Sequence, residues 1–236
     1  MQGVAEVVPV SSSAQLTLLP WLLGWPEVGP ILPAALHAGS CLGMAWALRA
    51  ELAALSRKDL GVLAATSAPA ALAGWLLPDR VNARLGGPAR LAALLAGAGG
   101  LLWLADRRPQ NQPLRPSAVL AAATAQVVAL LPGVSRSGAT LTALRALRVP
   151  SADAARFTLL MSLPITAGAA ALTVARADRR QLVELRGPLA AGVPIAALAA
   201  AAATSATARR GASIGPSAAY RLLLAAAVAG RLARRG

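Results

Sequence analysis

Two short polar stretches interrupt an otherwise apolar chain, and they carry the side chains best suited to chemistry. The first reads Pro9-Val10-Ser11-Ser12-Ser13-Ala14 and the second Pro132-Gly133-Val134-Ser135-Arg136-Ser137-Gly138. Aligned on Val10 and Val134, they share Val-Ser-x-Ser-small at a separation of 124 residues. In the second stretch a helix restarting near Ser137 offers free N–H groups and the positive end of its dipole. Arg136 adds a planar bidentate donor, Gly138 allows close backbone approach, and Ser135, Ser137 and Thr140 add hydroxyls. That donor set suits a phosphate. In the first stretch Pro9 has no N–H, and the serines are suited to cap a helix restarting near Ser13. Ser11, Ser12 and Ser13 form a polar wall, and one of them becomes a nucleophile only if a base lies beside it.

Other polar groups stand in apolar surroundings. Glu6 sits in Val4-Ala5-Glu6-Val7-Val8 with no cation near in sequence, so it must face a polar site or a distant cation. Gln2, four residues earlier, shares its helical face. His37 is the only histidine and lies within an apolar run, where it is either satisfied by a neighbouring helix or functional. Tyr220-Arg221 reads as an anchor at a membrane interface. The single Cys41 excludes an intramolecular disulfide and a cysteine metal cluster, and reads as a small buried residue.

The elements that must position these groups are membrane helices. The chain has 236 residues, of which 56% are hydrophobic, and a mean hydropathy of +0.59. Apolar blocks occur at Ile31–Leu48, Leu60–Leu77, Ala89–Ala105, Phe157–Ala175, Leu189–Ala208 and Ala218–Leu232. Spanning helices need about 20 apolar residues, and these blocks approach that length. Almost no charge falls within them, which argues against a soluble alanine-rich bundle. The net charge of +14 rests on arginines placed between the blocks, among them Arg49, Arg57, Arg80, Arg84, Arg107, Arg108, Arg176, Arg179, Arg180, Arg209, Arg210, Arg234 and Arg235. That placement fits helix ends at anionic headgroups rather than a nucleic-acid surface. Basic loops on every side leave the orientation undetermined. No signal peptide is visible; a half-helix entering a membrane at residue 2 lacks its first turns, so the natural start is expected upstream.

The expected architecture is all-α: a polytopic integral membrane protein forming one membrane domain over residues 1–236. Its halves, about 1–105 and 117–236, flank the polar, proline-rich linker 106–116. Each half is a broken segment followed by about three spans. An odd number of crossings per half makes the second an inverted repeat of the first, with two re-entrant helix-loop-helix segments. Small-residue faces permit, without requiring, a homodimer.

These motifs resemble those of the undecaprenyl-diphosphate phosphatases, the bacitracin-resistance phosphatases of bacterial membranes. Gln2-Gly3-x-x-Glu6-x-x-Pro9-Val10-Ser11-Ser12-Ser13 is similar to that family's first motif. Pro132-Gly133-Val134-Ser135-Arg136-Ser137-Gly138-Ala139-Thr140 is similar to its second. The resemblance covers nearly the whole chain, including Phe157 to Pro164 and Tyr220-Arg221. It implies removal of the terminal phosphate of undecaprenyl diphosphate, a polyprenyl lipid in the bilayer, at the outer face of the inner membrane. It implies a divalent cation, Mg²⁺ or Ca²⁺, bound by Glu6 with Gln2 as a weaker neighbour. Arg136 would hold the diphosphate and stabilise developing charge. Ser135 and Thr140 would orient the phosphate, with Ser11, Ser13 and Ser137 as further donors, and Ser12 would be the nucleophile candidate. One position departs from the pattern: the family's histidine after Ser-Ser-(Ser/Thr)-(Ala/Gly) is Gln15 here. Glutamine can hydrogen-bond a phosphate but cannot exchange a proton near neutral pH. His37 substitutes only if it reaches the same pocket. The alternative is a catalytically weak or inactive paralogue that binds or flips a prenyl phosphate. Acid-phosphatase chemistry of the vanadium-haloperoxidase type is disfavoured, because it needs two histidines and this chain has one.

Overall fold

In a computed structural model, which describes residues 1–26, 29–76, 87–175 and 179–234, the chain is helical throughout, with no strand among the described residues. The helices are α1 (Gln2–Val7), α2 (Ser12–Leu23), α3 (Ile31–Ala47), α4 (Arg49–Ala53), α5 (Arg57–Leu76) and α6 (Pro88–Asp106). The second half supplies α7 (Pro116–Val128), α8 (Arg136–Ala146), α9 (Ser151–Ala175), α10 (Arg179–Glu184), α11 (Arg186–Arg210) and α12 (Ile214–Ala233). Alanine and leucine dominate and favour this state. Pro88 and Pro116 open α6 and α7, where a missing N–H costs nothing. Of the expected arginines, Arg80, Arg84, Arg176 and Arg235 lie outside the described residues.

Four helices, α5, α6, α9 and α11, are long and apolar enough to cross a membrane. At 1.5 Å per residue the 20 residues of α5 reach about 30 Å, the thickness of a hydrocarbon core. Helices α3 and α7 are apolar but shorter. Leu42, Leu72, Leu101, Leu120, Ile195, Leu198 and Leu223 all point outward. Apolar exposure on this scale marks a lipid-facing surface. Arginine–tryptophan pairs stand at helix ends: Arg49 over Trp46 at 4.7 Å and Arg107 over Trp103 at 3.6 Å. Such pairs suit headgroup depth, where indole and guanidinium each keep one wet side. The protein is therefore a multi-pass, all-helical membrane protein.

Both polar stretches break helices as their prolines and glycine require. Helix α2 starts at Ser12 and α8 at Arg136, each one residue earlier than the serine expected from sequence. The residue before each start, Ser11 or Ser135, has a positive φ, 68° and 71°. Non-glycine residues avoid that region at a cost of about 1–3 kcal/mol, so its use at two repeat-equivalent positions marks a constrained site. The hydrogen bonding repeats as well. Ser11 Oγ lies 3.3 Å from Ser13 Oγ, and Ser135 Oγ lies 3.3 Å from Ser137 Oγ. Gly133 has φ 91°, and a Cβ there would lie 3.0 Å from the Leu91 carbonyl oxygen.

The halves interlock. α1 packs against α11 and α3, while α7 packs against α5 and α8. Each short leading helix thus leans on a long helix of the other half. Close approach is set by small residues: a Cβ at Gly39 of α3 would lie 2.5 Å from the Val193 carbonyl oxygen of α11, and Gly43 one turn on is tighter still. The polar linker is tied down rather than free. Arg145 Nε donates to Asp106 Oδ1 at 2.7 Å, and Arg148 Nε donates to the Pro109 carbonyl at 3.2 Å.

Candidate active site

The two helix breaks meet. Helix α1 brings Glu6, α2 brings Ser12, α3 brings His37 and α8 brings Arg136 to one wall of a cavity of about 360 Å³. Ser11, Ser13, Ser135 and Ser137 also line it. Its remaining wall is mostly apolar, including Leu130, Leu131, Ile165 and Ala169. A polar floor beneath an apolar wall suits an amphiphile whose anionic head enters first.

Glu6 is the hub. Its carboxylate is buried, and its Oε1 accepts from Arg136 Nη2, 130 residues away in sequence. Its Oε2 lies 2.8 Å from His37 Nδ1 and accepts from Ser12 Oγ at 3.4 Å. The cation that this carboxylate requires therefore comes from the other half of the chain. Gln2 Nε2 lies 3.0 Å from His37 Nδ1 and 3.2 Å from its Nε2. One tautomer satisfies the ring: Nδ1–H donates to Glu6 and Nε2 accepts from Gln2. Arg136 Nη1 also donates to the Ser162 carbonyl at 3.5 Å, while its Nε has no partner among the described residues.

Several residues singled out in the sequence lie beside the cavity rather than on it. Gln2 reaches it through His37. Thr140 is buried and donates to the Arg136 carbonyl at 2.9 Å, which secures the first turn of α8. Gln15 is buried in α2 and is not among the lining residues. The single histidine, His37, is on the cavity instead. Ser135 Oγ accepts from the Gly138 amide at 3.2 Å, so it caps α8 as well as lining the site.

Arg221 corrects its reading as an interface anchor. It is fully buried, donates from Nη1 to the Val134 carbonyl at 3.3 Å, and has no partner for Nε or Nη2 among the described residues. Its guanidinium lies against Gly138, whose added Cβ would stand 3.1 Å from Arg221 Cζ. Two guanidiniums, that of Arg221 fully buried and that of Arg136 mostly so, thus flank the N-terminus of α8, against the buried carboxylate of Glu6. Gln126 went unnoticed. It lines the cavity and is buried. Its signal was present in the repeat: it lies 124 residues after Gln2, the same offset that relates Val10 to Val134.

A family model described as bacitracin resistance protein BacA matches residues 1–227. The chain belongs to the BacA family. A relative from Geobacter metallireducens named undecaprenyl-diphosphatase is 40% identical, over 84% of this chain and 81% of its own length. One of the same name from Gemmatimonas aurantiaca is 38% identical, over 100% of this chain and 96% of its own. In this BacA chain the two polar motifs, far apart in sequence, build the single wall described above.

Proposed function

We propose that this protein hydrolyses undecaprenyl diphosphate to undecaprenyl phosphate and inorganic phosphate, recycling the lipid carrier of cell-wall synthesis. The observation that carries this reading is the Glu6–Arg136 pair joining the two helix breaks at the polar floor of a cavity with an apolar wall. The names of the similar BacA proteins support it. The diphosphate would take the place of the missing negative charge: Arg136 Nε, the serine hydroxyls and the N-terminus of α8 are donors awaiting an oxyanion.

Ser12 is the nucleophile in this scheme. Glu6 Oε2, 3.4 Å away, takes the Ser12 proton as the Oγ–phosphorus bond forms and the bridging P–O bond breaks. Undecaprenyl phosphate leaves. Water then attacks the phosphoserine, the Oγ–phosphorus bond breaks, and Oγ recovers its proton through Glu6. His37 and Arg136 hold the carboxylate in place throughout. Arg136 and the α8 amides stabilise charge on the phosphoryl oxygens, a contribution of about 10²–10³ in rate for one such donor.

A divalent cation, Mg²⁺ or Ca²⁺, fits this chemistry as a ligand shared with substrate. No group of three His, Cys, Asp or Glu exists among the described residues. One carboxylate plus phosphate oxygens is nevertheless the usual Mg²⁺ arrangement. Glu6, with the Gln2 amide beside it, would hold the ion, which when bound neutralises phosphate charge.

The same reading places the chain in the bacterial inner membrane with its cavity toward the outer face, where spent carrier collects. Its arginines meet lipid headgroups, and a homodimer would form through small-residue helix faces. Phosphate release from undecaprenyl diphosphate in detergent, with Mg²⁺ and with a chelator, tests the proposal. Metal-dependent release that collapses in Arg136→Ala supports it. Lipid binding with no turnover would favour the binding or flipping paralogue instead.

A further inference from the structure

Gln126 sits in α7 at the cavity wall and is 2% exposed. Its Nε2 donates to the Thr66 carbonyl of α5 at 3.3 Å. A carbonyl only accepts, so this contact fixes which end of the amide is nitrogen. The other end, Oε1, is buried and has no hydrogen-bond partner among the described residues. A buried acceptor left empty is unfavourable and calls for an occupant.

The surroundings define that occupant. The cavity offers donors almost everywhere: Arg136, five serines and the start of α8. Glu6 is the other side-chain acceptor of note, and Arg136, His37 and Ser12 already occupy it. A phosphate oxygen cannot sit against Oε1, because two acceptors repel. A water can, donating one proton to Oε1 and keeping a lone pair for phosphorus. Position 126 is the repeat partner of Gln2, whose amide is turned onto His37. The repeat partner of Glu6 is Leu130, also on the wall. One half of the repeat therefore carries the base, and the other carries a neutral acceptor on the wall of the same cavity.

We infer that Gln126 holds and orients the water that attacks phosphorus. This rests on the phosphatase reading and deepens it. The amide takes no proton: water forms the new P–O bond, the P–O bond to Ser12 breaks as Oγ takes back the proton held on Glu6, and the water's proton passes to the freed carboxylate and leaves with the phosphate. An amide that orients an attacking water in this way is familiar from nucleotide hydrolases.

The test compares Gln126→Leu and Gln126→Glu with the wild type in detergent. One assay measures steady-state phosphate release from a prenyl diphosphate. A second measures binding of a prenyl methylenediphosphonate, which cannot be hydrolysed. A protonated glutamate keeps both contacts, its O–H donating to Thr66 and its C=O accepting from water. Expected is a fall in kcat of about a hundredfold or more in Gln126→Leu. Analogue affinity and kcat/KM stay within about threefold, because the first phosphoryl transfer is untouched, so KM falls with kcat; Gln126→Glu recovers to within about tenfold of wild type. A Gln126→Leu enzyme with wild-type kcat would overturn the inference. So would parallel loss of turnover and analogue binding in both variants, which would show a role only in packing α7 on α5. A wild type that binds the analogue yet releases no phosphate would overturn the phosphatase reading itself.

Discussion

Replacing Gly39 by alanine tests whether helix packing, far from any phosphate, sets the active-site geometry. The added Cβ would lie 2.5 Å from the Val193 carbonyl oxygen and 3.1 Å from Val193 Cγ1. Ordinary contact begins at 3.4 Å, so α3 must retreat from α11 by about 0.9 Å. The obstacle is backbone, which cannot rotate aside. Overpacking of this size costs about 1–3 kcal/mol. His37 is two residues away on the same helix and rides with it. Transmitted fully along the His37–Glu6 direction, a 0.9 Å shift stretches that contact from 2.8 Å to 3.7 Å, beyond hydrogen-bonding range. Phosphate release should fall by about tenfold or more, with thermal unfolding in detergent shifted several degrees lower. Gly39→Ser, of similar bulk, should do the same. A Gly39→Ala protein with wild-type melting and wild-type turnover would refute the reasoning, because α3 and α11 would then have slack that the structure denies.

Three further outcomes are expected. Arg136→Ala strips a buried carboxylate of its cation, and loss of one partner of a buried pair costs about 3–5 kcal/mol; thermal unfolding should drop, and Arg136→Ala/Glu6→Gln should be more stable than Arg136→Ala alone while remaining inactive. His37→Ala removes the donor that holds Glu6, so turnover should fall about ten- to a hundredfold, whereas His37→Gln, which keeps a donor, should lose less, both measured by phosphate release. Gly138→Ala drives a Cβ into the fully buried Arg221 guanidinium, and its cost of about 1–3 kcal/mol should shrink in Gly138→Ala/Arg221→Ala, a non-additivity read by a double-mutant cycle of melting temperatures.

Much of this was legible in the chain. Apolar blocks bounded by arginine became helices within a few residues, because a membrane helix depends on local composition. The duplicated Val-Ser-x-Ser stretch marked both helix breaks, since Pro9, Pro132 and Gly133 act on their own backbone. Glu6 announced the need for a cation but not its identity: Arg136 is 130 residues away, and only tertiary packing joins them. The same limit hid the place of His37. Its run Pro33-Ala34-Ala35-Leu36-His37 leaves it either satisfied by a neighbouring helix or functional, and its contact with Glu6 depends on how α3 sits against α1. Arg221 misled for a physical reason. An arginine near a helix end usually snorkels to the interface, whereas Gly99 and Gly138 here open a slot that admits it to the interior. Gln126 could have been found by carrying the 124-residue offset back through the whole broken segment rather than through the serines alone.

The central claim is that Glu6 and Arg136, from opposite halves, form one phosphate-cleaving centre. The direct measurement is Mg²⁺-dependent phosphate release from undecaprenyl diphosphate by the wild type, Glu6→Gln and Arg136→Ala, each checked for folding. The account predicts release by the wild type and a loss of about a hundredfold or more in either variant. Because the two groups act as a unit, the double variant should be scarcely slower than the singles. Losses that multiply in the double variant, or a folded Arg136→Ala protein with undiminished release, would contradict it.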